Sequence, residues 1–211
     1  MLCVAASLCG CVDTVFESLP GKHINQCDQR FVGKWRLGSS EKRAEAGDNL
    51  FIAIEPDCNA IHSFENGKAD AETDEKMHIA FASVGKKSVV TIKFDQDESH
   101  PGNSEWSNGY HYFLYNVHNR EIRLHPVNND QIAHFVIDGK LQGRTEMISK
   151  RPGGRTQGDG MTLHNYVAGD AETMAKAVEL RGIFADAPYF TLKPATDAEI
   201  SAPAKSLPSS K

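Results

Sequence analysis

The sequence predicts a mainly β (α+β) fold: an antiparallel meander of about eight or nine strands, barrel-like, with two helices. Three observations predict it. Apolar and polar residues alternate over most of the middle of the chain, as they do in half-buried strands. The connections between these segments are too short for the crossover helices that parallel strands need. The chain has 211 residues, of which 40% are hydrophobic, and this provides enough apolar material for a buried core.

The strands are predicted in chain order from period-two segments that Gly, Asn and Asp bound. In the second of them Leu50, Ile52 and Ile54 lie on one face, and a turn at residues 57–59 ends it. The full set of predicted strands covers residues 31–37, 50–54, 61–64, 77–81, 90–94, 110–117, 121–124, 140–148 and 189–192. Closing such a series into a barrel would hide its edges, which favours a barrel-like sheet.

Two segments have the pattern of helices. The first covers about residues 129–138, where Asn128 or Asn129 provides the cap and a glycine follows the last turn. The second begins at Asp170, a good capping residue, and extends to about residue 184 with one apolar stripe. Both lie late in the chain, after the main series of strands.

The first ten residues carry no charge and end in small residues, which is typical of the end of a secretory signal. The tetrapeptide Leu8-Cys9-Gly10-Cys11 resembles the lipobox of bacterial lipoproteins. The resemblance implies cleavage before Cys11 and attachment of a diacyl lipid to its thiol. The residue after it is Val12 rather than Asp, which in this family implies the outer membrane, facing the periplasm. The alternative is that residues 1–10 form an apolar strand or a frayed terminus.

The domain organisation follows from these segments. Residues 1–10 are the remnant of a signal peptide, 11–30 a lipidated arm, and 31–193 the β-barrel-like domain. Residues 194–211 are rich in Pro, Ala, Ser and Lys and are predicted to be a disordered tail.

Composition excludes two classes of protein. The net charge is −5 and no basic run exceeds two residues, so nucleic acid is not an expected partner. No window of the sequence holds the roughly 20 apolar residues of a membrane-spanning helix.

Five cysteines are present, and two of them are expected to pair. If cleavage precedes Cys11, Cys27 and Cys58 remain as an even pair in an oxidising compartment. A disulfide between them would stabilise the fold by about 3 to 4 kcal/mol in the chain-entropy model. The alternative is two unpaired thiols. A zinc site is not predicted, because no CxxC spacing exists and the nine histidines are scattered.

A short motif at the first long strand adds a second resemblance. Gly33-Lys34-Trp35 resembles the Gly-x-Trp signature of lipocalins and related calycin barrels. The resemblance implies that Gly33 lets the chain turn into the barrel floor and that Trp35 seals that end against an arginine from late in the fold. Arg144 and Arg151 are candidates for that arginine. The alternative is that Trp35 is a core residue of an ordinary strand.

Catalytic motifs are not found in the sequence: it contains no Gly-x-Ser-x-Gly, no HExxH and no complete Walker motif. The densest titratable set is Tyr110-His111-Tyr112, with His118 and His125. It indicates either an aromatic pocket with a histidine at its rim or, as we favour, an amphipathic strand. Acidic residues at 95–98 and 70–75 could hold calcium, although solvated loops are the favoured interpretation. No catalytic residue, metal or cofactor is predicted.

Together these observations predict a membrane-anchored envelope lipoprotein of a non-catalytic, binding or maintenance type. Its expected partners are the membrane, through the lipid anchor, and an apolar small ligand or an envelope protein. One alternative is an interaction protein or inhibitor of an envelope enzyme. A less favoured one is a hydrolase that acts on cell-wall or lipid substrates.

Overall fold

The structure is a computed structural model that describes residues 14–24, 27–39, 50–58, 61–65, 68–69, 77–94, 109–149 and 161–201. It confirms the mainly β fold class with an antiparallel, curled sheet. The strands within these ranges are β1 Thr14–Phe16, β2 His23–Ile24, β3 Gly33–Ser39, β4 Leu50–Ile54, β5 Ile61–Glu65, β6 Lys68–Ala69, β7 Met77–Val84, β8 Lys87–Phe94, β9 His111–His118, β10 Glu121–Pro126, β11 Gly143–Ser149, β12 Met161–Val167 and β13 Phe190–Pro194. The helices are α1 Asn129–Ile137, α2 Ala171–Glu179 and α3 Asp197–Ile200.

The larger sheet has ten strands in the order β2-β7-β8-β9-β10-β13-β3-β4-β5-β6. Every pairing in it is antiparallel, and seven of its strands curl into a half-barrel. The late strand β13 joins two meanders, because Leu192 lies opposite Ile122 of β10 on one side and Leu37 of β3 on the other. Within the described residues, β2 and β6 are the two edges of this sheet, so the curl stops short of a closed barrel.

A smaller sheet in the order β1-β12-β11 differs from the prediction. Its strand β1 lies in the segment predicted as an arm, and it pairs with β12 in parallel, with Thr14 opposite Asn165. Neither strand was predicted, because β1 has only three residues and its partner lies more than a hundred residues away. A bridge between Phe16 and Tyr110 links the two sheets.

The first helix begins and ends as the sequence predicts, and the strand after it starts later than predicted. The Asn128 side chain caps α1 by accepting a hydrogen bond from the Gln131 N–H at 3.1 Å. Lys140 and Leu141 were predicted to begin a strand. Their N–H groups instead donate to the Phe135 carbonyl, at 2.8 and 3.0 Å, so β11 begins only at Gly143.

The second helix is shorter than predicted, and a third helix lies in the predicted tail. Asp170 caps α2, which ends at Glu179 because Leu180 turns to an extended backbone with ψ of 138°. In the tail, Thr196 and Glu199 form a reciprocal capping box that begins α3, and Ile200 packs into the fold with 6% exposure. The structure thus describes residues 194–201, which lie within the predicted tail.

Two hydrophobic cores lie on opposite faces of the larger sheet, because successive strand residues point to opposite sides. Val89 belongs to one core and the adjacent Val90 to the other. The helix-side core contains Phe16, Val84, Val89, Tyr112, Val127, Ile132, Phe135, Leu141, Val167, Met174, Ala177, Val178, Ile183 and Phe184. The concave core, inside the half-barrel, contains Phe31, Trp35, Ile54, Cys58, Phe81, Val90, Phe113, Tyr115, Ile122, Leu124, Phe190 and Leu192.

The turn between β9 and β10 provides a test of backbone strain. Asn119 and Arg120 both have positive φ, 49° and 64°, which is the pattern of a type I′ turn. Glycine is preferred at the second of these positions, where Arg120 is exposed. We expect Arg120→Gly to raise the free energy of unfolding by about 1 kcal/mol, measured by chemical denaturation. Arg120→Ala, which keeps the Cβ, should not reproduce the gain, and an equal gain from both would contradict the strain explanation.

Candidate functional site

The concave side of the half-barrel is filled by aromatic side chains of the chain itself. Phe31 makes edge-to-face contacts with Phe81 and with Tyr115, each with ring centroids 5.0 Å apart. Phe81 and Tyr115 complete the triangle at 6.1 Å. Such ring pairs contribute about 0.5 to 1.5 kcal/mol each beyond the area they bury. The segment that carries Phe31 is therefore packed against the sheet.

A disulfide fixes the same segment to the end of β4. Cys27 and Cys58 are joined, with their Cα atoms 5.4 Å apart and a sequence separation of 31. Cys58 is 2% exposed and has a left-handed backbone with φ of 58°. The pair that the cysteine count singled out thus closes the segment over the concave core.

Asp28, Arg30 and Tyr115 form a hydrogen-bonded triad, the Asp28 triad, beside the disulfide. The Asp28 carboxylate accepts hydrogen bonds from Arg30 Nε at 2.9 Å, from the Arg30 backbone N–H at 3.0 Å and from the Tyr115 hydroxyl at 2.7 Å. The Arg30 guanidinium also lies over the Tyr115 ring, 5.5 Å from its centroid. These donors, chiefly the Arg30 side chain, lower the pKa of Asp28 to about 2 despite its partial burial. Burial and the adjacent carboxylate raise the pKa of Tyr115 to about 12.

The lowered pKa of Asp28 predicts acid sensitivity. A carboxyl whose pKa is lower in the folded chain stabilises it fully above its unfolded value of 3.8, and this contribution is lost as the pH falls towards 2. We expect the loss to be about 1 to 2 kcal/mol, after allowance for the 15% exposure of the side chain. Urea denaturation at several acidic pH values measures it. Asp28→Asn should show a flatter dependence between pH 4 and pH 2, and parallel curves for the two proteins would refute this role of Asp28.

The Gly33-Lys34-Trp35 motif lies at the beginning of β3. Gly33 has φ of 130°, which residues with a side chain rarely adopt. Trp35 is buried in the concave core, and its Nε1–H donates to the Phe31 carbonyl at 2.7 Å. Arg144 lies on the smaller sheet, where it pairs with Glu146 and covers the Tyr166 ring. Arg144 therefore does not pack against Trp35 as the resemblance implied. Arg151 lies outside the described residues.

The margin of the concave core is half-exposed. Val117, Ile122, Leu192 and Leu37 lie in direct register across β9, β10, β13 and β3. The two inner residues are buried, whereas Val117 and Leu37 at the ends of the row are only partly buried. Val117 and Leu37 therefore keep part of their apolar surface exposed at the two ends of this row.

The titratable set predicted around residue 111 is divided between the two faces of β9. Tyr112 is fully buried in the helix-side core, where it stacks on Phe16 at 3.9 Å and its hydroxyl donates to the Ser18 carbonyl. Burial raises the pKa of Tyr112 far above its usual range. Phe113 and Tyr115 point to the concave core instead. The favoured interpretation, an amphipathic strand with rings on both faces, agrees with this arrangement.

The three histidines of that set have separate surroundings. The ring of His111 is hydrogen bonded through Nδ1 to the Thr14 carbonyl at 3.2 Å. His125 Nδ1 lies 3.1 Å from the Ala185 carbonyl, and His118 is exposed at the end of β9. Within the ranges that the structure describes, no group of three or more His, Cys, Asp or Glu side chains could hold a metal ion. The acidic residues at 70–75 and 95–98 lie outside those ranges.

A buried polar cluster, which no pattern in the sequence predicted, joins the smaller sheet to α1. Asn165 Nδ2 donates to Thr14 Oγ1 at 3.1 Å and to the Asn129 carbonyl at 3.0 Å, while its Oδ1 accepts from Thr145 Oγ1 at 2.9 Å. Thr14 Oγ1 in turn donates to Asn129 Oδ1 at 2.7 Å. Thr14 and Asn165 are fully buried. No local sequence signal marks these residues, because they lie on four separate elements.

We expect Asn165→Ala to cost about 2 to 3 kcal/mol of unfolding free energy, because the fully buried Thr14 Oγ1 and the partly buried Thr145 Oγ1 and Asn129 carbonyl would each lose this partner. Asn116→Ala is the matched control. Asn116 is exposed, so its loss should stay within about 0.5 kcal/mol. Thermal or urea denaturation compares them, and equal losses would contradict a special role for the cluster.

Comparison of the chain with protein-family models, with curated proteins and with solved structures finds no match. Among the described residues, no helix has the length and hydropathy needed to cross a membrane. Cys11, the predicted lipidation site, lies outside the described residues, three positions before Thr14, where β1 begins.

Proposed function

We propose that this chain is a bacterial envelope lipoprotein, anchored through a diacyl lipid on Cys11 in the outer membrane and facing the periplasm. The tetrapeptide Leu8-Cys9-Gly10-Cys11 is the observation that carries the proposal. The Cys27–Cys58 disulfide supports it, because such bonds persist in oxidising compartments such as the periplasm. One cysteine with two acyl chains is sufficient for stable anchoring.

We further propose that the role is non-catalytic and of the binding type. The concave core is packed with the chain's own rings, which favours contact at its half-exposed margin over enclosure of a ligand in a central cavity. Val117 and Leu37 are the side chains that such contact would cover. An apolar small molecule or an apolar segment of an envelope protein has the chemistry that fits them.

Three measurements on the unaltered protein test this function. Metabolic labelling with palmitate, followed by membrane fractionation, should find the labelled chain in the outer membrane. Native mass spectrometry of gently extracted protein should then show an added small mass if the ligand is a small molecule. If the mass is that of the lipidated chain alone, crosslinking in intact cells should capture an envelope protein. A chain that is unlabelled and remains out of the membrane fraction would overturn the proposal.

A further inference from the structure

The distance between Cys11 and the folded domain is short. Thr14 is fully buried and is held by Asn129 and Asn165, so the domain begins there. Three residues of extended chain span at most about 11 Å. A domain of this length has a radius of gyration of about 17 Å. An anchor on Cys11 would therefore hold the face of the domain around the start of β1 close to the lipid.

The end of the β11–β12 hairpin is part of that face. Strand β1 runs parallel to β12 from Asn165 onward, so the earlier residues of β12 extend past its start, towards the side from which the chain arrives. Leu163 is two residues before Asn165, about 7 Å along the strand. Met147 of β11 lies directly opposite Leu163. Both residues are thus within the span of the tether.

The apolar pair Met147 and Leu163 is incompletely covered for a structural reason. Both share a face with Thr145 and Asn165, whose hydrogen bonds direct that face towards α1. Helix α1 begins only at Asn129, level with Asn165, so it does not extend over the next pair. Met147 is consequently 55% exposed and Leu163 is partly exposed. The adjacent charge of Glu146 is paired with Arg144 at 2.8 Å.

We infer that the apolar pair Met147 and Leu163 is the surface that rests on the lipid bilayer, an inference that depends on the proposed anchoring at Cys11. Burial of the pair in the interfacial region and the short tether then act together to fix the orientation of the domain.

The test places one fluorophore on each of two exposed positions of the full, lipidated protein. Cys11 is acylated and Cys27 and Cys58 are paired, so a cysteine in the variant Met147→Cys is the one free thiol of the mature chain. The matched control is Ile137→Cys, because Ile137 is more exposed, at 72%, but lies at the far end of α1, about 12 Å along the helix from Asn129. An environment-sensitive dye is attached to each variant. Both are reconstituted in vesicles of phosphatidylethanolamine and phosphatidylglycerol with a doxyl-labelled lipid as quencher.

We expect quenching and a blue shift for the dye at position 147 and neither for the dye at position 137. If the exposure of the native side chain alone decided contact with lipid, the dye at 137 would be quenched more than the dye at 147, since Ile137 is the more exposed side chain. If the intact mass shows the diacyl lipid and the dye at 147 is not quenched, or the dye at 137 is quenched as strongly, the orientation is overturned while the anchor remains. If the intact mass shows no lipid, the anchor and the orientation fall together.

Discussion

Replacing Cys11 by serine is expected to abolish palmitate incorporation and to release the chain from the membrane fraction. A serine hydroxyl cannot form the thioether through which the lipid is attached. Burial of acyl chains contributes about 0.8 kcal/mol per CH2 group, so the two chains together contribute well over 10 kcal/mol of membrane affinity. The few exposed apolar side chains of the domain, such as Met147, could not supply a comparable membrane affinity. Metabolic labelling and fractionation of the two proteins, expressed side by side, measure the effect.

Cys9→Ser is the matched control for that experiment. It removes a thiol two positions away and keeps a small residue before the cleavage site, so the label and the membrane association should both be retained. Label that persists in Cys11→Ser would place the lipid on another residue. Loss of label in both variants would indicate that the tetrapeptide as a whole, rather than the Cys11 thiol, controls processing.

The second large effect concerns the disulfide. The double variant Cys27→Ala with Cys58→Ala should lose about 3 to 4 kcal/mol of unfolding free energy, because the closed loop restricts the unfolded chain. This is a substantial part of the 5 to 15 kcal/mol that is typical of a folded domain. The same disulfide holds the segment that carries Phe31 and the Asp28 triad. The contacts of Phe31 and of Asp28 with the sheet should therefore weaken together when the disulfide is removed. Urea denaturation of purified protein gives the difference.

A reductant provides the internal control. The unfolding midpoint of the wild-type chain should fall to that of the double variant when the disulfide is reduced, whereas the midpoint of the double variant should not move. A wild-type protein that is insensitive to reductant would show that the two thiols are unpaired in solution. That result would also remove the support that the disulfide gives to an oxidising compartment.

Local patterns were sufficient to predict the half-barrel strands and the helix starts. In β7, β8 and β10 apolar and polar residues alternate over four or five positions, and β9 is a dense apolar run that ends at a turn, which together favour strands over helices. Asn128 and Asp170 have side-chain acceptors at the positions where a cap is needed. The pairing of Cys27 with Cys58 agrees with the count of cysteines that would remain after cleavage before Cys11.

Features that depend on distant contacts were not accessible from the sequence. Strand β1 owes its conformation to β12, and three residues carry no periodicity. The Asn165 cluster joins four elements, and each of its members is an Asn or a Thr, residue types that are common on protein surfaces. The apolar stripe after α2 was predicted to continue the helix, yet Ile183 and Phe184 reach the same core from an irregular segment. Ile183 and Phe184 are therefore apolar because they are buried in the helix-side core, and not because they continue a helix.

The most direct test of the anchoring is the intact mass of the N-terminal peptide of the mature protein, purified from its host without reduction. We predict a peptide that begins at Cys11 and carries a diacylglyceryl group on the thiol, with Cys27 still linked to Cys58 elsewhere in the digest. A mature chain that begins at another residue, or a Cys11 without lipid, would contradict the proposed lipid anchor.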